Sequence, residues 1–461
     1  MINRVLSFLH RCLRSLCLSA WLWVLLGGLA SLWADNPAPV VLTVVPDHAD
    51  GIYALNEKVT WNVDVKTGDR AGLSALPYVV RRDGAHSVDR GTLDLSTGPA
   101  VITASLSEPG TLLAVISSPG PATKKPLALG GAAVDPAEIA PAAPAPADFE
   151  AFWQDKLKEL DAIPINPVVT KQNADSVGGI EYDKVTLDNI RGTHVQGQLA
   201  RPQAGDKFPA MLILQYAGVY PLQKSVVMGP AKQGWLVLDI NAHDLPIDAP
   251  AEFYKDQAAN ALKDYTHIGD EDRETSYFLR MVLGCVRAAE YLVSRPDWDG
   301  RILVATGTSQ GGFQSLAAAA LFPRITQIMV LVPAGCDVYA PQAASPRAES
   351  WPRWLSVDPS ADKSKVEKTA GYYDPINFAA RIHCLALVAA GLIDETAHPT
   401  GVIAAFNAIP APTPKELILM PFSNHRGEGG TQQAFAVQAE AWTAALLSGT
   451  PLPMKPTQTA H

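Results

Sequence analysis

A serine stands between two glycines where a predicted strand meets a predicted helix. The segment reads Gly307-Thr-Ser-Gln-Gly311, after the apolar run Ile302–Thr306 and before the Ala-rich run Gln314–Leu321. A sharp strand-to-helix turn of the pattern Gly-x-Ser-x-Gly raises the serine hydroxyl above a sheet, and its glycines leave room for the neighbouring backbone. The pattern predicts that Ser309 is a nucleophile for acyl transfer.

A serine nucleophile needs a general base, which in this arrangement comes last along the chain. His425 lies just past the apolar run Leu417–Met420, where a loop can fold back over the end of a sheet. His398 is the competing candidate. His383 immediately precedes a predicted strand, which puts it at the wrong end, so His425 is the predicted base.

The base in turn needs an acid that orients its ring. Asp394 follows the apolar run Ala386–Ala389, so it is expected at the carboxyl end of a strand, behind the imidazole. Glu395 is the fallback, and a solvated loop carboxylate is the alternative for either residue.

Two backbone N–H groups are expected to bind the developing oxyanion. One belongs to Gln310, the residue after the serine. The other belongs to Val219 in the loop Gln215-Tyr-Ala-Gly-Val-Tyr220, where Gly218 permits an unusual backbone conformation. An ordinary strand-to-helix turn is the alternative for this loop.

Residues 148–448 alternate short apolar runs with longer helical patterns, which predicts a doubly wound, mostly parallel α/β sheet with its site at the carboxyl ends of the strands. The remaining predicted strands are Met211–Gln215, Leu236–Ile240 and Ile328–Val332, and the remaining helices are Tyr277–Val293, Gly401–Asn407 and Gln433–Leu447. An amphipathic helix is also expected after Asp148, which is the predicted N-cap of that helix.

Residues 36–129 favour short strands separated by turns, which predicts a small all-β domain, an immunoglobulin-like sandwich. The predicted strands are Val40–Val45, Lys58–Val65, Pro77–Arg81, Val101–Leu106 and Leu112–Ile116. A lid or spacer is the plainer interpretation of this domain, and carbohydrate docking is the alternative. The Ala/Pro-rich residues 130–147 are interpreted as a connector.

Residues 1–34 have the form of a secretory signal peptide. Arg4, Arg11 and Arg14 precede an apolar stretch that ends at Leu32-Trp33-Ala34. An uncleaved membrane anchor is the alternative, because the stretch approaches the ~20 residues that span a bilayer. Either reading predicts a secreted or periplasmic protein, with membrane contact only if the segment is uncleaved. Residues 449–461 are a predicted C-terminal tail.

Composition excludes several classes of function. The 37 basic and 46 acidic residues give a net charge of -9 without a basic cluster, which argues against nucleic-acid binding. Of the five cysteines, Cys285, Cys336 and Cys384 lie beyond the signal, each in apolar sequence, so buried thiols are expected rather than disulfides. The scattered histidines give no metal-site spacing, and neither a metal nor a cofactor is expected.

Several segments together resemble the acetyl xylan esterase and cephalosporin-C deacetylase family, carbohydrate esterase family 7, from about Ala133 to Leu447. The similar segments are Pro146-Ala-Asp-Phe-Glu-Ala-Phe-Trp153, Gln215-Tyr-Ala-Gly-Val219, Gly307-Thr-Ser-Gln-Gly-Gly312, Tyr372-Tyr-Asp-Pro-Ile-Asn-Phe-Ala-Ala-Arg-Ile382, Gly391-Leu-Ile-Asp394 and Asn424-His425. The resemblance implies an α/β-hydrolase fold, the Ser309, Asp394 and His425 triad, oxyanion amides at Val219 and Gln310, and removal of acetyl groups from carbohydrate esters without a metal.

The chain departs from the family pattern beside the expected pocket. It has Asp239-Ile-Asn-Ala-His-Asp244 where the family usually shows Asp-x-Arg-Gly-Gln-Gly, and Glu-Thr-Ala-His398-Pro399 where Cys-Pro-Pro is common. Val219 stands where an aromatic residue is frequent. These departures leave the substrate open, and the added β-rich region leaves open the homo-oligomer that the resemblance implies.

An exported serine esterase acting on small-molecule or polysaccharide acetyl esters is therefore the predicted function. A longer-chain esterase or a prolyl-oligopeptidase-type peptidase would use the same triad in a different pocket. A non-catalytic glycan-binding protein on a hydrolase scaffold is the rival from another class.

Overall fold

The computed structural model describes residues 39–119, 125–356 and 361–455, which form an N-terminal β sandwich and a larger α/β domain. The predicted signal segment 1–34 lies outside the described residues, as do residues 456–461 of the predicted tail. Within the described ranges, no helix combines the length and the apolar character needed to cross a bilayer.

The β sandwich consists of a three-stranded sheet in the order β1-β3-β6 and a five-stranded sheet in the order β2-β8-β7-β4-β5. Its strands are β1 Val41–Pro46, β2 Ile52–Tyr53, β3 Val59–Thr67, β4 Leu76–Arg82, β5 His86–Leu93, β6 Ala100–Ala104, β7 Gly110–Ile116 and β8 Ala128–Val134. The period of two predicted for β3 is confirmed, because Val59, Trp61 and Val63 are fully buried between the sheets. All five strands predicted in this region form.

Strand β8 occupies the start of the segment that was expected to be a connector, so the predicted boundary at residue 130 is wrong. β8 pairs antiparallel with β7 along its whole length. Its small residues suit close packing on both faces: a Cβ on Gly130 would lie 2.4 Å from Val44 in the sandwich, and a Cβ on Gly131 would lie 2.5 Å from Leu392 in the α/β domain. The strand therefore forms because its glycines admit these neighbours.

The α/β domain is built on a nine-stranded sheet in the order β17-β16-β15-β14-β12-β13-β11-β10-β9. Its strands are β9 Val168–Lys171, β10 Ile180–Asp188, β11 His194–Pro202, β12 Phe208–Leu214, β13 Leu236–Ile240, β14 Trp298–Thr308, β15 Gln327–Leu331, β16 Leu385–Gly391 and β17 Lys415–Met420. The six strands from β12 to β17 are parallel, and β9, β10 and β11 pair antiparallel. The predicted mostly parallel sheet is confirmed.

Helices cover the sheet and short 3₁₀ turns connect them. The helices are α1 Phe149–Asp161, α2 Lys224–Gln233, α3 Ala251–Ala259, α4 Tyr277–Ser294, α5 Gln310–Leu321, α6 Lys363–Ala370, α7 Pro375–Ala379, α8 Pro399–Ala408 and α9 Gln433–Ser448. The 3₁₀ turns are Pro136–Glu138, Ile190–Gly192, Tyr265–His267, Ala340–Gln342 and Glu428–Gly430. The apolar parallel strands are buried on both faces, as their sequences predict. For example, every residue of β13 is buried.

Helix α1 begins where the sequence predicts, but Asp148 does not cap it. No side-chain hydrogen bond joins Asp148 to the first turn. Its carboxylate instead accepts hydrogen bonds from Arg273 Nη1, at 2.7 Å, and from the hydroxyl of Tyr372. Asp148 therefore ties α1 to distant segments of the α/β domain rather than closing its own helix end.

The β sandwich packs on the loops that follow β16 and β17. Asp83, at the end of β4, accepts a hydrogen bond from the Thr400 hydroxyl of α8 at 3.0 Å, and its carbonyl accepts one from the Ala348 N–H at 2.9 Å. Gly51 and Gly131 both lie against Leu392, two residues before Asp394. The sandwich is thus attached to the segment that carries the predicted acid.

Candidate active site

Ser309 occupies a strained turn between β14 and α5. Its backbone has φ 58° and ψ −120°, a conformation that costs a non-glycine residue on the order of 1–3 kcal/mol. Close backbone contacts enforce the turn: a Cβ on Gly307 would lie 2.4 Å from Gly311, and a Cβ on Gly311 would lie 2.1 Å from the Leu214 carbonyl. The glycines therefore hold the serine side chain at the carboxyl end of the sheet.

Three predicted residues meet in one hydrogen-bonded line. The His425 Nε2 atom lies 2.8 Å from the Ser309 hydroxyl oxygen, and Nδ1 of the same ring lies 2.7 Å from Asp394 Oδ2. The Asp394 side chain is fully buried, while His425 remains partly exposed. In this geometry Nδ1–H donates to the carboxylate, which leaves Nε2 free to accept the serine proton.

Backbone contacts fix the loops that carry the acid and the base. Asp394 Oδ1 accepts the N–H groups of Thr396 at 2.7 Å and Ala397 at 2.9 Å, so its second oxygen is oriented toward the ring. The Ile393 N–H donates to the Ser423 carbonyl at 3.2 Å, which joins the two loops directly. The positions of Asp394 and His425 relative to each other are consequently fixed.

The competing residues lie away from this line. His398 is buried at the N-terminus of α8, and burial lowers the pKa of its imidazole to about 4. Its ring packs against Gly84 of the sandwich rather than against Ser309. Glu395 is exposed, and His383 is exposed just before β16, at the amino end of the parallel strands.

The two predicted oxyanion residues belong to segments that adjoin the nucleophile. Gln310 begins α5 directly after Ser309. Val219 follows Gly218, whose φ of 122° suits glycine, and it lines an adjoining cavity that shares Ala217 and Trp351 with the cavity of Ser309. Within the described ranges, neither backbone N–H of this pair has a hydrogen-bond acceptor.

Ser309 opens into a cavity of about 640 Å³. Its lining residues are Tyr216, Ala217, Thr308, Ser309, Trp351, Thr396, His425, Arg426 and Gln432. A groove of about 400 Å³ adjoins it past His425, and its far wall is the sandwich segment 125–129. The β sandwich therefore contributes to the rim of the site.

Sequence reasoning missed two residues that hold the loop containing Gly218. The hydroxyl of Tyr265 donates to Gln310 Oε1 at 2.5 Å and accepts the Gly218 N–H at 3.4 Å. His243 Nε2 lies 3.0 Å from the Gly218 carbonyl. The departure of residues 239–244 from the family pattern was the available signal for His243, whereas no pattern pointed to Tyr265.

The thiols are separate from the site. Cys285 and Cys336 are buried and Cys384 is partly buried, all three as free thiols. In the part of the chain that the structure describes, His, Cys, Asp and Glu form no group of three that could hold a metal ion.

A mostly parallel sheet in this strand order, with a serine on the sharp turn after β14, defines an α/β-hydrolase. Residues 137–442 match the sequence model of the acetyl xylan esterase (AXE1) family, more than half of the chain. The chain belongs to this family, as its motifs indicated, and it is a carboxylic ester hydrolase.

Individual relatives agree with this assignment. The chain is 29% identical over 410 residues to acetyl esterase Axe7A of Xylanibacter ruminicola, covering 87% of this chain and 91% of that protein. This share exceeds what the α/β domain can supply, so the likeness extends into the β sandwich.

Two solved structures share the fold of the α/β domain. The acetyl xylan esterase from Paenibacillus sp. R4 is 23% identical with a TM-score of 0.55, covering 67% of this chain and 98% of that one. Acetyl xylan esterase 1 from Thermoanaerobacterium sp. JW/SL YS485 is 22% identical with a TM-score of 0.54, covering 66% and 97%.

Proposed function

We propose that the protein is an exported serine esterase that removes acetyl groups from carbohydrate esters through an acyl-enzyme. The observation that carries this proposal is the hydrogen-bonded line from Ser309 through His425 to Asp394, at 2.8 and 2.7 Å. A serine at the end of such a line can lose its proton as it attacks a carbonyl carbon.

The reaction proceeds in two steps. Ser309 Oγ attacks the acetyl carbon while His425 Nε2 takes the hydroxyl proton, and Asp394 stabilises the imidazolium. The N–H groups of Val219 and Gln310 bind the oxyanion. His425 then protonates the departing alcohol oxygen, and water, activated by the same ring, releases acetate and restores the serine.

Membership of the family and the acetyl esterase name of one relative support acetyl as the acyl group. The openness of the site supports a carbohydrate as the alcohol. The cavity at Ser309 continues past His425 into the groove along residues 125–129, and charged and polar side chains such as Arg426 and Asn424 line that groove. Such a surface can accommodate several sugar rings beyond the ester.

The central experiment replaces the nucleophile. Ser309→Ala should reduce hydrolysis of p-nitrophenyl acetate by at least ~10³-fold, because the acyl-enzyme cannot form. Ser294→Ala, which removes a hydroxyl from the end of α4, is the matched control and should retain wild-type activity. Full activity in Ser309→Ala, or failure of a fluorophosphonate to label Ser309, would refute the serine mechanism.

A substrate series tests the acyl group and the alcohol. Acetate release from acetylated xylan and xylo-oligosaccharides should exceed cleavage of p-nitrophenyl octanoate and of a prolyl peptide. Preference for the octanoate or the peptide would instead identify a longer-chain esterase or a peptidase. Export is tested by sequencing the N-terminus of the protein from a secreting bacterial host, where cleavage after Ala34 is expected.

A further inference from the structure

Both polar groups of Gly218 are held by side chains from other parts of the α/β domain. His243 Nε2 lies 3.0 Å from the Gly218 carbonyl oxygen, and the Tyr265 hydroxyl accepts the Gly218 N–H at 3.4 Å. The two aromatic rings pack edge to face at 4.8 Å between centroids. The conformation of this glycine is therefore set from outside its own loop.

The protonation pattern of His243 follows from its partners. The Gly218 carbonyl can only accept, so Nε2 must carry the hydrogen. Burial lowers the pKa of His243 to about 4, so the ring is neutral near pH 7 and its Nδ1 must accept. The Tyr277 hydroxyl, 2.6 Å from Nδ1, supplies that hydrogen and itself accepts one from Arg280, a group that can only donate. A single direction of donation thus runs from Arg280 through Tyr277 and His243 to Gly218.

The consequence appears in the next peptide unit. The carbonyl of Gly218 and the N–H of Val219 belong to one planar trans peptide, and they point to opposite sides of it. A hydrogen bond that draws the carbonyl toward His243 therefore turns the Val219 N–H away from His243. Val219 itself lines a cavity that shares Ala217 and Trp351 with the cavity of Ser309.

We propose that His243 is a positioning residue for the oxyanion site: by binding the Gly218 carbonyl, it presents the Val219 N–H to the acyl oxygen. Tyr277 and Arg280 support it by fixing the tautomer of the ring. The inference rests on the proposed function, because it assigns His243 a role only if Ser309 attacks an ester.

Hydrogen bonds of Gln215 hold the two ends of the loop 215–220 independently of His243. Gln215 accepts the Ala242 N–H at 2.9 Å and donates to the Tyr220 carbonyl at 3.2 Å, so the segment before His243 is tied to both ends of the loop. Because the frame around Gly218 is fixed independently, loss of the imidazole should reorient one peptide rather than unfold the loop.

Four variants test the proposal with kcat and KM for p-nitrophenyl acetate. His243→Leu keeps the bulk and removes the donor; kcat should fall ~10–100-fold with KM within about twofold, because an oxyanion contact acts only in the transition state. His243→Gln, which retains an N–H donor of similar reach, should recover most of kcat. Tyr277→Phe should lower kcat several-fold, because His243 Nδ1 loses its donor and the ring is no longer held in the tautomer with the hydrogen on Nε2.

Tyr291→Phe is the matched control for Tyr277→Phe. It removes a buried hydroxyl from the same helix, one bonded to Arg295 nearly four turns away, and should leave kcat unchanged. Wild-type kcat in a folded His243→Leu, a His243→Gln as slow as His243→Leu, or equal kcat in both phenylalanine variants would overturn the proposal. If His243→Leu does not fold, the phenylalanine pair still decides. Ser309→Ala in the same series separates the outcomes: activity there refutes the serine mechanism itself, whereas its absence confines any failure to His243.

Discussion

Asp83 of the β sandwich accepts a hydrogen bond from the Thr400 hydroxyl of α8 at 3.0 Å, across 317 positions of sequence. The same buried carboxylate accepts the Thr111 N–H at 2.8 Å and pairs with Arg82 at 3.2 Å. Thr400 lies six residues past Asp394. One carboxylate therefore links the sandwich to the helix that follows the acid loop.

Replacing this carboxylate should destabilise the junction. Asp83→Ala leaves the buried Thr111 N–H without an acceptor, while the Thr400 hydroxyl keeps the Thr111 hydroxyl as a partner at 2.7 Å, so the expected cost is about 1–3 kcal/mol in the free energy of unfolding. Asp69→Ala, an exposed position of the same domain, should stay within about 0.5 kcal/mol of wild type. Urea denaturation measures both. Equal stability of the two variants would show that the junction contributes nothing through Asp83.

Substitutions at two adjacent glycines distinguish an effect on the stability of the sandwich from an effect on the active site. A Cβ on Gly130 meets Val44 and Trp61 inside the sandwich, whereas a Cβ on Gly131 meets Leu392 beside the acid loop. Both alanine variants should lose about 1–3 kcal/mol through overpacking. Only Gly131→Ala should also lower kcat, by about 10-fold, because a small displacement of Asp394 misaligns His425.

The comparison is made with p-nitrophenyl acetate at a temperature where both proteins are folded. A Gly131→Ala enzyme with the kcat of Gly130→Ala would mean that the acid loop tolerates displacement by the sandwich.

Acid should weaken the protein partly through His398. Burial lowers the pKa of this ring from its ordinary value near 6.5 to about 4, so between these pH values the unfolded chain binds a proton that the folded chain does not. Stability from this group is therefore complete above pH 6.5 and decreases as the pH falls. Between pH 7 and pH 5 the loss amounts to about 2 kcal/mol.

The measurement compares wild type with His398→Leu by urea unfolding at both pH values. Asp239 and Asp374, whose pKa values burial raises to about 7, act with the opposite sign in this window, and His243 acts with the same sign. All three are present in both proteins, so their effects cancel in the difference. The same acid dependence in both proteins would contradict the assignment to His398.

The sequence predicted the parts of the site that depend on chain order and strand ends. Each of Ser309, Asp394 and His425 follows an apolar run, and parallel strands end at a common edge, so their meeting point could be foreseen. The contacts of His243 and Tyr265 with Gly218 could not, because they join segments whose spacing along the chain has no period.

Three strands of the β sandwich were missed, for identifiable reasons. β2 is only two residues long. β5 is mostly exposed and polar, so its residues lack an apolar alternation, and β8 is mostly Ala and Gly, with Leu129 and Val134 as its larger residues. Both are specified by their partners β4 and β7 rather than by their own side chains. The contact between β8 and Leu392 could not be predicted from the sequence either. A glycine can indicate that a neighbour packs closely, but it does not identify that neighbour.

The neighbouring carboxylates Asp394 and Glu395 provide the sharpest test of the acid. In Asp394→Asn the amide group must face either His425 or the N–H groups of Thr396 and Ala397. Facing His425, it donates to Nδ1, forces the hydrogen onto Nε2, and leaves no acceptor for the Ser309 proton. Facing the loop, it opposes two N–H donors and displaces the segment.

Either arrangement should reduce kcat for p-nitrophenyl acetate by about 10³–10⁴-fold with little change in KM, as expected when the tautomer of the base is wrong. Glu395→Gln, one residue away and exposed, should leave kcat within about twofold of wild type, because surface substitutions perturb little beyond their own contacts. A larger loss in Glu395→Gln than in Asp394→Asn would transfer the role of the acid to Glu395. Since Asp394 Oδ2 lies 2.7 Å from His425 Nδ1 and Glu395 is exposed, the structure favours Asp394.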